Sequence, residues 1–253
     1  MRLLLFFATI ISLTSCSSQS PNVKPIGPER DIVLINIENG DRTFIAKILS
    51  KIDSIQPKVV GINIHFKSSK EGKEDSLLSI ALNTLKGDIL SYGVGTRGLE
   101  EHSISKFTNA VDDEGLINFE ETNGLVSKMT PVKKIDEKIH MSFALKIAKL
   151  WKPTLDNSYT ENKSVPIEYS RTLNSFLIIN GSDLIELPIS EFDLENLKNK
   201  IFLVGYVGPN DEDMHRTPLR FLAKNTLAQK QPDTYGLVII ANQIRTLLDK
   251  NTN

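Results

Sequence analysis

Apolar residues along this chain fall into short continuous runs that alternate with stretches of helical spacing. Residues 31–37 and 58–64 are nearly continuous in apolar character and rich in β-branched side chains, which is typical of strands buried on both faces. Between them, Asp41 can cap an amphipathic helix. This β-α-β order predicts parallel strands joined by a right-handed crossover.

The same alternation continues at both ends of the remaining chain. A second amphipathic helix over 75–85 leads to a third short strand over 88–92. In the last third, residues 200–204 predict a buried strand and residues 235–248 a closing helix. The predicted fold class is therefore α/β, with a mainly parallel sheet flanked by helices.

The pattern weakens in the middle third, where apolar runs shorten and turn residues become frequent. It predicts a small inserted β-rich region beside the main sheet. The elements expected there are a turn over 112–115, strands over 116–119 and 125–129, a helix over 141–151, and a hairpin formed by 176–179 and 184–187.

Polar side chains are concentrated directly after the last predicted strand. The apolar run stops at Gly205, and the loop that follows contains Asp211, Asp213 and His215. His65 follows the second predicted strand. Because parallel strands carry binding loops at their carboxyl ends, we expect the functional edge of the domain here. A lone histidine such as His65 is also typical of a capped core edge.

The loop permits two chemical interpretations. Asp211, Asp213 and His215 alternate along the chain and could offer oxygen and nitrogen ligands to a metal. Two carboxylates and one histidine leave that ligand set incomplete, and the sequence has no G-x-S-x-G motif to supply a nucleophile. The loop therefore favours contact with a ligand or partner, without a catalytic residue, metal or cofactor. A metal-dependent or hydrolytic enzyme using residues 211–215 is the alternative.

Arg42 and Asn242 are further candidate contacts. Arg42 lies in the first turn of the first predicted helix, where it could bind an anion or pair with Asp41 or Glu38. Asn242 lies near the start of the last helix, and we expect it to hydrogen-bond the loop at residues 217–218, which is a structural role.

Residues 93–98 spell G-x-G-x-x-G, a pattern shared with dinucleotide sites. Such a fingerprint follows the first strand of its unit and opens directly into a helix. Here it follows the third predicted strand and precedes a polar stretch, residues 99–103. We therefore interpret these glycines as loop residues rather than as a nucleotide site.

The beginning of the chain has the layout of an export signal. Arg2 precedes an apolar run over 3–13 that is too short to span a bilayer. Leu-Thr-Ser-Cys at 13–16 resembles the lipobox of bacterial lipoproteins, which implies removal of residues 1–15 and lipidation of Cys16. Because Cys16 is the only cysteine, it cannot form an internal disulfide. An ordinary signal peptide with an incidental cysteine is the alternative.

These patterns divide the mature chain into three segments. Residues 16–30 form the lipidated cysteine and a Ser/Pro-rich flexible tether, residues 31–249 the α/β domain, and residues 250–253 a tail. In bacterial lipoproteins, which the start of this chain resembles, a residue such as Ser17 after the cysteine favours sorting to the outer membrane. We therefore expect a cell-envelope protein whose membrane contact is its N-terminal lipid.

Composition limits the class of partner. The net charge is −1 and no basic stripe is present, so nucleic acid is not expected as a partner. A hydrophobic fraction of 40% is enough to fill a core, and no apolar run after the signal approaches the length of a membrane span.

Four stretches together resemble CHASE2, a family of extracytoplasmic sensory domains. They are DIVLINI at 31–37, PKVVGIN at 57–63, KIFLVG at 200–205 with DMHRTPL at 213–219, and YGLVIIAN at 235–242, in the order of the family. The resemblance implies a sensory domain, which in this family usually precedes membrane helices and a signalling output domain.

The sequence departs from the family pattern at several points. Asn63 replaces an acidic residue, Ile240 replaces a histidine, and the Trp-Pro that usually precedes the arginine at position 42 is missing. The chain ends at Asn253, where the family enters the membrane. We therefore expect a lipid-anchored sensory module that binds a small ligand or a protein partner. It would have no output domain of its own and would report through an envelope signalling protein.

Overall fold

A computed structural model describes residues 27–70, 72–156, 158–222 and 227–250. The predicted signal peptide, Cys16 and most of the tether lie outside these residues. The strands are β1 (Ile32–Asn36), β2 (Val59–Ile62), β3 (Asp88–Val94), β4 (Glu100–Glu101), β5 (Asp113–Leu116), β6 (Glu120–Thr122), β7 (Leu125–Met129), β8 (Val132–Ile135), β9 (Lys138–Met141), β10 (Val165–Pro166), β11 (Leu177–Asn180), β12 (Ile201–Gly205), β13 (Met214–His215) and β14 (Thr234–Tyr235). The helices are α1 (Arg42–Ile55), α2 (Glu74–Thr84), α3 (Ser105–Thr108), α4 (Phe143–Trp151), α5 (Gly181–Glu186), α6 (Leu194–Leu197) and α7 (Gly236–Asp249). Short 3-10 turns cover Leu173–Ser175, Ile189–Glu191, Pro218–Leu222 and Ala228–Lys230.

The main sheet has the strand order β11, β1, β12, β2, β3, with β4 and β5 both pairing with β3. Every pairing in it is parallel except that of β4 with β3. This confirms the predicted α/β class with a mainly parallel sheet. The strands β1 and β2 are parallel, as predicted, but they are not neighbours, because β12 from the last third of the chain lies between them.

The sheet is covered by helices on both faces. Leu34 of β1 packs in the layer formed with α4 and α7, whereas Val33 and Ile35 pack in the layer formed with α1 and α2. All three side chains are at most 3% exposed. Burial on both faces explains why the strand is a continuous apolar run, since each fully buried side chain of this kind stabilises the fold by about 1.5–3 kcal/mol.

Helix α1 begins and ends where local chemistry dictates. The Asp41 carboxylate accepts a hydrogen bond from the Phe44 backbone N–H at 2.8 Å and so caps the first turn. Ile48 and Ile52 on its apolar face are fully buried. Gln56 adopts a left-handed conformation, with φ of 60°, and its N–H donates a hydrogen bond to the Asp53 carbonyl.

The turn predicted over residues 112–115 is wrong, because residues 113–115 belong to strand β5 beside β3. Gly115 explains the placement. A Cβ at this position would lie 2.6 Å from Phe143 Cα at the start of α4. The glycine is therefore required for the close approach of α4 to the sheet rather than for a turn.

The hairpin predicted from 176–179 and 184–187 is also wrong. The first segment is β11, a parallel edge strand, and the chain then continues into helix α5. A Cβ on Gly181 would lie 2.5 Å from Ile48 Cδ1, so this glycine allows α5 to pack against α1.

The other hairpin prediction is correct in its turn. Asn123 and Gly124 both have positive φ and connect β6 to β7, although the first strand lies at Glu120–Thr122 rather than at 116–119. These strands and β10 form a small separate sheet, which corresponds to the predicted inserted region.

The glycines at 93–98 form a turn, as interpreted from the sequence. The Gly95 N–H bonds the Leu99 carbonyl at 2.9 Å, Gly98 has φ of 77°, and the chain continues into β4 rather than into a helix. The segment therefore lacks the helix N-terminus that a pyrophosphate requires.

Candidate functional site: a cleft at the carboxyl edge of the sheet

A cleft of about 400 Å³ opens where β1, β2, β5 and β12 end. Its lining residues are Ile37, Asn63, Ile64, His65, Ile117, Phe119, Tyr206, Asp213 and His215. Because parallel strands end at a common edge, side chains that are far apart in sequence converge there. The cleft thus brings together three of the predicted contact residues, His65, Asp213 and His215.

Asp213 and His215 form a pair on one wall of the cleft. His215 Nε2 lies 3.2 Å from Asp213 Oδ1, and the imidazole packs edge-on against Phe119 with 4.8 Å between ring centroids. The segment is held by β13, which pairs with β14 immediately before α7. The loop is therefore fixed against the first turn of the last helix.

Asp213 lies directly at the N-terminus of α7. Its carbonyl accepts the Gly236 N–H at 2.9 Å. Its backbone adopts the left-handed region with φ of 58°, which aspartate tolerates better than most residues. A negative side chain is favourable beside the N-terminus of a helix, so the position of Asp213 is electrostatically stabilised.

A second carboxylate, Asp233, closes the loop. The backbone N–H and the Oγ1 of Thr217 each donate to it at 2.7 Å, and Thr234 Oγ1 donates at 2.7 Å. Thr217 and Thr234 are at most 3% exposed. Buried hydroxyls satisfied in this way fix the backbone that carries His215.

Asn36 also organises the site, and the sequence reasoning missed it. This buried side chain accepts from the N–H groups of Val207 at 3.0 Å and Glu38 at 3.1 Å, and it donates to the Gly208 carbonyl at 3.3 Å. It thereby ties the end of β1 to the loop after β12. The sequence did contain a signal that could have identified Asn36: it is a polar residue at the last position of an otherwise apolar buried strand.

Two tyrosines bracket the tip of the loop. Tyr206 Oη accepts the Asn210 N–H at 2.7 Å, and Tyr235 Oη donates to the Asn210 carbonyl at 3.1 Å. Burial raises the pKa of Tyr235, and nearby Tyr206 and Asp211 raise it further. Asp211 itself is exposed at this tip and does not line the cleft.

His65 presents an unsatisfied ring nitrogen. Its Nε2 is buried and has no hydrogen-bond partner among the described residues. Burial lowers the pKa of His65, Lys67 lowers it further, and Glu101 opposes the shift. The ring is therefore mainly neutral at pH 7 and offers one donor and one acceptor.

Arg42 lies in the core rather than in the cleft. It pairs with Asp75 of α2, instead of with Asp41 or Glu38 as expected. The two side chains are 7% and 3% exposed, and the guanidinium lies 5.4 Å from the ring centroid of Phe107. This geometry joins α1 to α2 and leaves little of the guanidinium accessible to an anion.

Asn242 is fully buried in α7, and its predicted partner is wrong. Its side chain accepts the Arg171 N–H at 3.1 Å and donates to the carbonyls of Arg171 at 3.0 Å and Val238 at 2.9 Å. It therefore holds the segment before β11 against α7 rather than the loop at residues 217–218. These hydrogen bonds all lie within the domain.

Metal ligands are not clustered in the described part of the chain. Within residues 27–70, 72–156, 158–222 and 227–250, no group of three or more His, Cys, Asp or Glu side chains has a geometry that could hold a metal ion.

The parallel sheet, the helices on both faces and the open cleft define an α/β domain with a cleft at the carboxyl edge. The chain belongs to the CHASE2 domain family, which it matches over residues 29–253. CHASE2 domains are extracytoplasmic sensory domains. Comparison with curated proteins gives no match, and comparison with solved structures gives none. Within the residues that the structure describes, no helix has both the length and the apolar character needed to cross a membrane.

Proposed function

We propose that this chain is an extracytoplasmic sensory module that binds a small polar ligand in the carboxyl-edge cleft. The observation that carries the proposal is the buried His65 Nε2, which has no partner although it lies in the same cleft as the Asp213–His215 pair. A buried polar atom without a hydrogen bond destabilises a protein by about 1–3 kcal/mol, and a ligand in the cleft would remove that penalty.

The lining indicates the chemistry of the ligand. His65 can donate or accept a hydrogen bond, Asp213 accepts, and Ile117 and Phe119 form an apolar wall. A volume of about 400 Å³ lies in the range of small-molecule sites. The cleft therefore fits a small molecule that has hydrogen-bonding groups at one end and an apolar part at the other.

We favour binding over catalysis. Among the described residues that line the cleft, none is a Ser, Thr or Cys that could act as a nucleophile beside His215. The Asp213 carboxylate lies against Gly236 at the N-terminus of α7 and contacts His215. These contacts support a fixed recognition surface. A hydrolytic or metal-dependent enzyme that uses residues 211–215 stays the alternative hypothesis.

We further propose that Cys16 carries the lipid that holds the protein in the bacterial cell envelope, at the outer membrane. The support is the Leu-Thr-Ser-Cys motif after a short apolar run, followed by Ser17. Two or more acyl chains on one cysteine give firm anchoring. A second protein of the envelope would receive the signal when the cleft is occupied.

The ligand proposal can be tested on the full chain purified in detergent, with a thermal-shift panel of amino acids, sugars and small carboxylic acids. We expect a ligand that raises the melting temperature of the wild type but has no effect on His65→Ala or Asp213→Ala. Glu195→Ala is the matched control, because Glu195 is an exposed carboxylate on α6, outside the cleft lining. Ligand-induced shifts that persist in both cleft variants would contradict the proposal.

Anchoring is tested by membrane fractionation of cells that produce the wild type or Cys16→Ser. The wild type should sediment with outer membranes and incorporate a labelled fatty acid, whereas the variant should be released and unlabelled. Retention of Cys16→Ser in the membrane fraction would show that another segment holds the protein there.

A further inference from the structure

A second cavity of about 610 Å³ lies away from the cleft, beside β5 and α4. Asp88 and Asp113, the first residues of β3 and β5, line it at the amino ends of these strands. None of its lining residues belongs to the carboxyl-edge cleft.

The Asp88 carboxyl group is the unusual feature of this cavity. Asp88 is 1% exposed, and its Oδ1 accepts the Asp112 N–H at 3.1 Å. Its Oδ2 has no hydrogen-bond partner among the described residues. A buried carboxylate is normally paired with a cation or fully hydrogen-bonded, so one position for a donor is empty.

The neighbouring charges do not fill that position. Lys146 of α4 pairs with Asp113 at 2.7 Å, and Asp112 accepts the Gly87 N–H at 2.7 Å. Burial raises the pKa of Asp88 to about 7, the charge of Asp112 raises it, and Lys86 opposes the rise. Lys149 also lines the cavity but makes no ion pair with Asp88.

Part of the cavity lining is apolar and accessible. Ile139, Met141 and Leu150 are 58%, 36% and 41% exposed, although each is a large hydrophobic side chain. Three such side chains around one buried carboxyl group fit a ligand that has an apolar body and a single positive end. Lys146 and Lys149 also line the cavity, but Lys146 is paired with Asp113, and the three carboxyl groups of Asp88, Asp112 and Asp113 outnumber the two lysines, which disfavours an anionic ligand.

We propose that this cavity binds a small organic amine in its protonated form. The ammonium group donates a hydrogen bond to Asp88 Oδ2, and the apolar body packs against Ile139, Met141 and Leu150. Because Oδ2 is covered in the free protein, the side chains over it move aside when the ammonium group binds.

The test uses benzylamine and its neutral counterpart benzyl alcohol as probes, followed by methyl NMR of the full chain in detergent. Benzylamine should shift the signals of Ile139 and Met141 saturably at pH 7.5, and benzyl alcohol should bind at least about tenfold more weakly, since charge-assisted hydrogen bonds are the stronger ones. Asp88→Asn keeps the acceptor for the Asp112 N–H, so the variant can fold. It should weaken benzylamine at least about tenfold and leave benzyl alcohol unchanged.

Three controls make the result decisive. Asp136→Asn removes the same charge from an exposed turn and should leave benzylamine affinity unchanged. Leu150→Ala should weaken both probes, because both use the apolar wall. His65→Ala, in the other cleft, should have no effect. Equal affinity for amine and alcohol, or unchanged benzylamine affinity in Asp88→Asn, would overturn the proposal.

Discussion

The carboxylate of Asp213 occupies the space that a side chain on residue 236 would fill. A Cβ on Gly236 would lie 2.5 Å from Asp213 Oδ2 and 2.9 Å from Oδ1. Asp213 can therefore lie at the start of α7 only because residue 236 has no side chain. The position of Asp213 in turn sets the position of the cleft wall.

Gly236→Ala is therefore expected to destabilise the protein by about 1–3 kcal/mol, because the added methyl group displaces the carboxylate. Chemical denaturation gives the free energy of unfolding. Asp213→Gly, which suits the positive φ, removes the clash, so the double variant should lose less stability than the sum of the two single variants. Additive losses would show that the two residues do not interact.

Asn36→Ala should destabilise the protein by about 2–4 kcal/mol, since it leaves the buried N–H of Val207 and the carbonyl of Gly208 without partners. Urea denaturation measures the loss. Asn83→Ala is the matched control, because Asn83 is exposed on α2 and its replacement should change stability by less than about 0.5 kcal/mol. Equal effects of the two substitutions would show that the hydrogen bonds of Asn36 do not hold the loop after β12 in place.

His102 should make stability depend on pH. Its Nε2 lies 2.8 Å from Glu100 of β4 and its Nδ1 3.0 Å from Glu114 of β5, so both nitrogens can donate only when the ring is protonated. Burial lowers the pKa of His102, but the hydrogen bonds to the two carboxylates outweigh burial and raise it above its ordinary value.

The sign of the effect follows from that raised pKa. The contribution of His102 is fully present below the unfolded pKa of about 6.5 and is lost as the pH rises through the higher folded pKa. Between pH 5.5 and 8.5, denaturation should show a larger loss of stability in the wild type than in His102→Gln. Parallel pH profiles for the two proteins would refute the prediction.

Asp88 should also make the stability of the protein fall as the pH rises, but over a lower pH range than His102. The pKa of Asp88 in the folded protein, about 7, exceeds the ordinary value of 3.8. The contribution of Asp88 to stability should therefore be highest below pH 3.8 and fall as the pH rises to about 7. At 1.36 kcal/mol per pKa unit the effect is up to about 4 kcal/mol. Asp88→Asn should be more stable than the wild type at pH 8 but not at pH 4, as measured by urea denaturation. A lower stability of the variant at pH 8 would contradict this.

The main sheet was predictable where burial on both faces leaves a continuous apolar run, as in β1 and β12. Strand β5 was not, because Asp113 and Glu114 are polar and the segment is a strand only through its pairing with β3. Likewise Asn180-Gly181 is a local hairpin signal, whereas the glycine is used for contact between α5 and α1. In both cases tertiary contacts override local preference.

The candidate site was predictable to a similar degree. The rule that parallel strands end at a common edge correctly brought His65, Asp213 and His215 to one cleft. The partners of Arg42 and Asn242 were not predictable, because Asp75 and Arg171 are far away in sequence and become neighbours only through the packing of helices and loops.

The location of β12 between β1 and β2 has a consequence for the kinetics of folding. Until residues 201–205 are inserted, the edges of β1 and β2 that later pair with β12 are open, and open edges pair readily with foreign strands. Their contacts form only after a loop spanning most of the domain has closed, which slows folding. During synthesis, β1, β2 and β3 therefore cannot form one continuous sheet on their own. The sheet is completed only after the last third of the chain has been made.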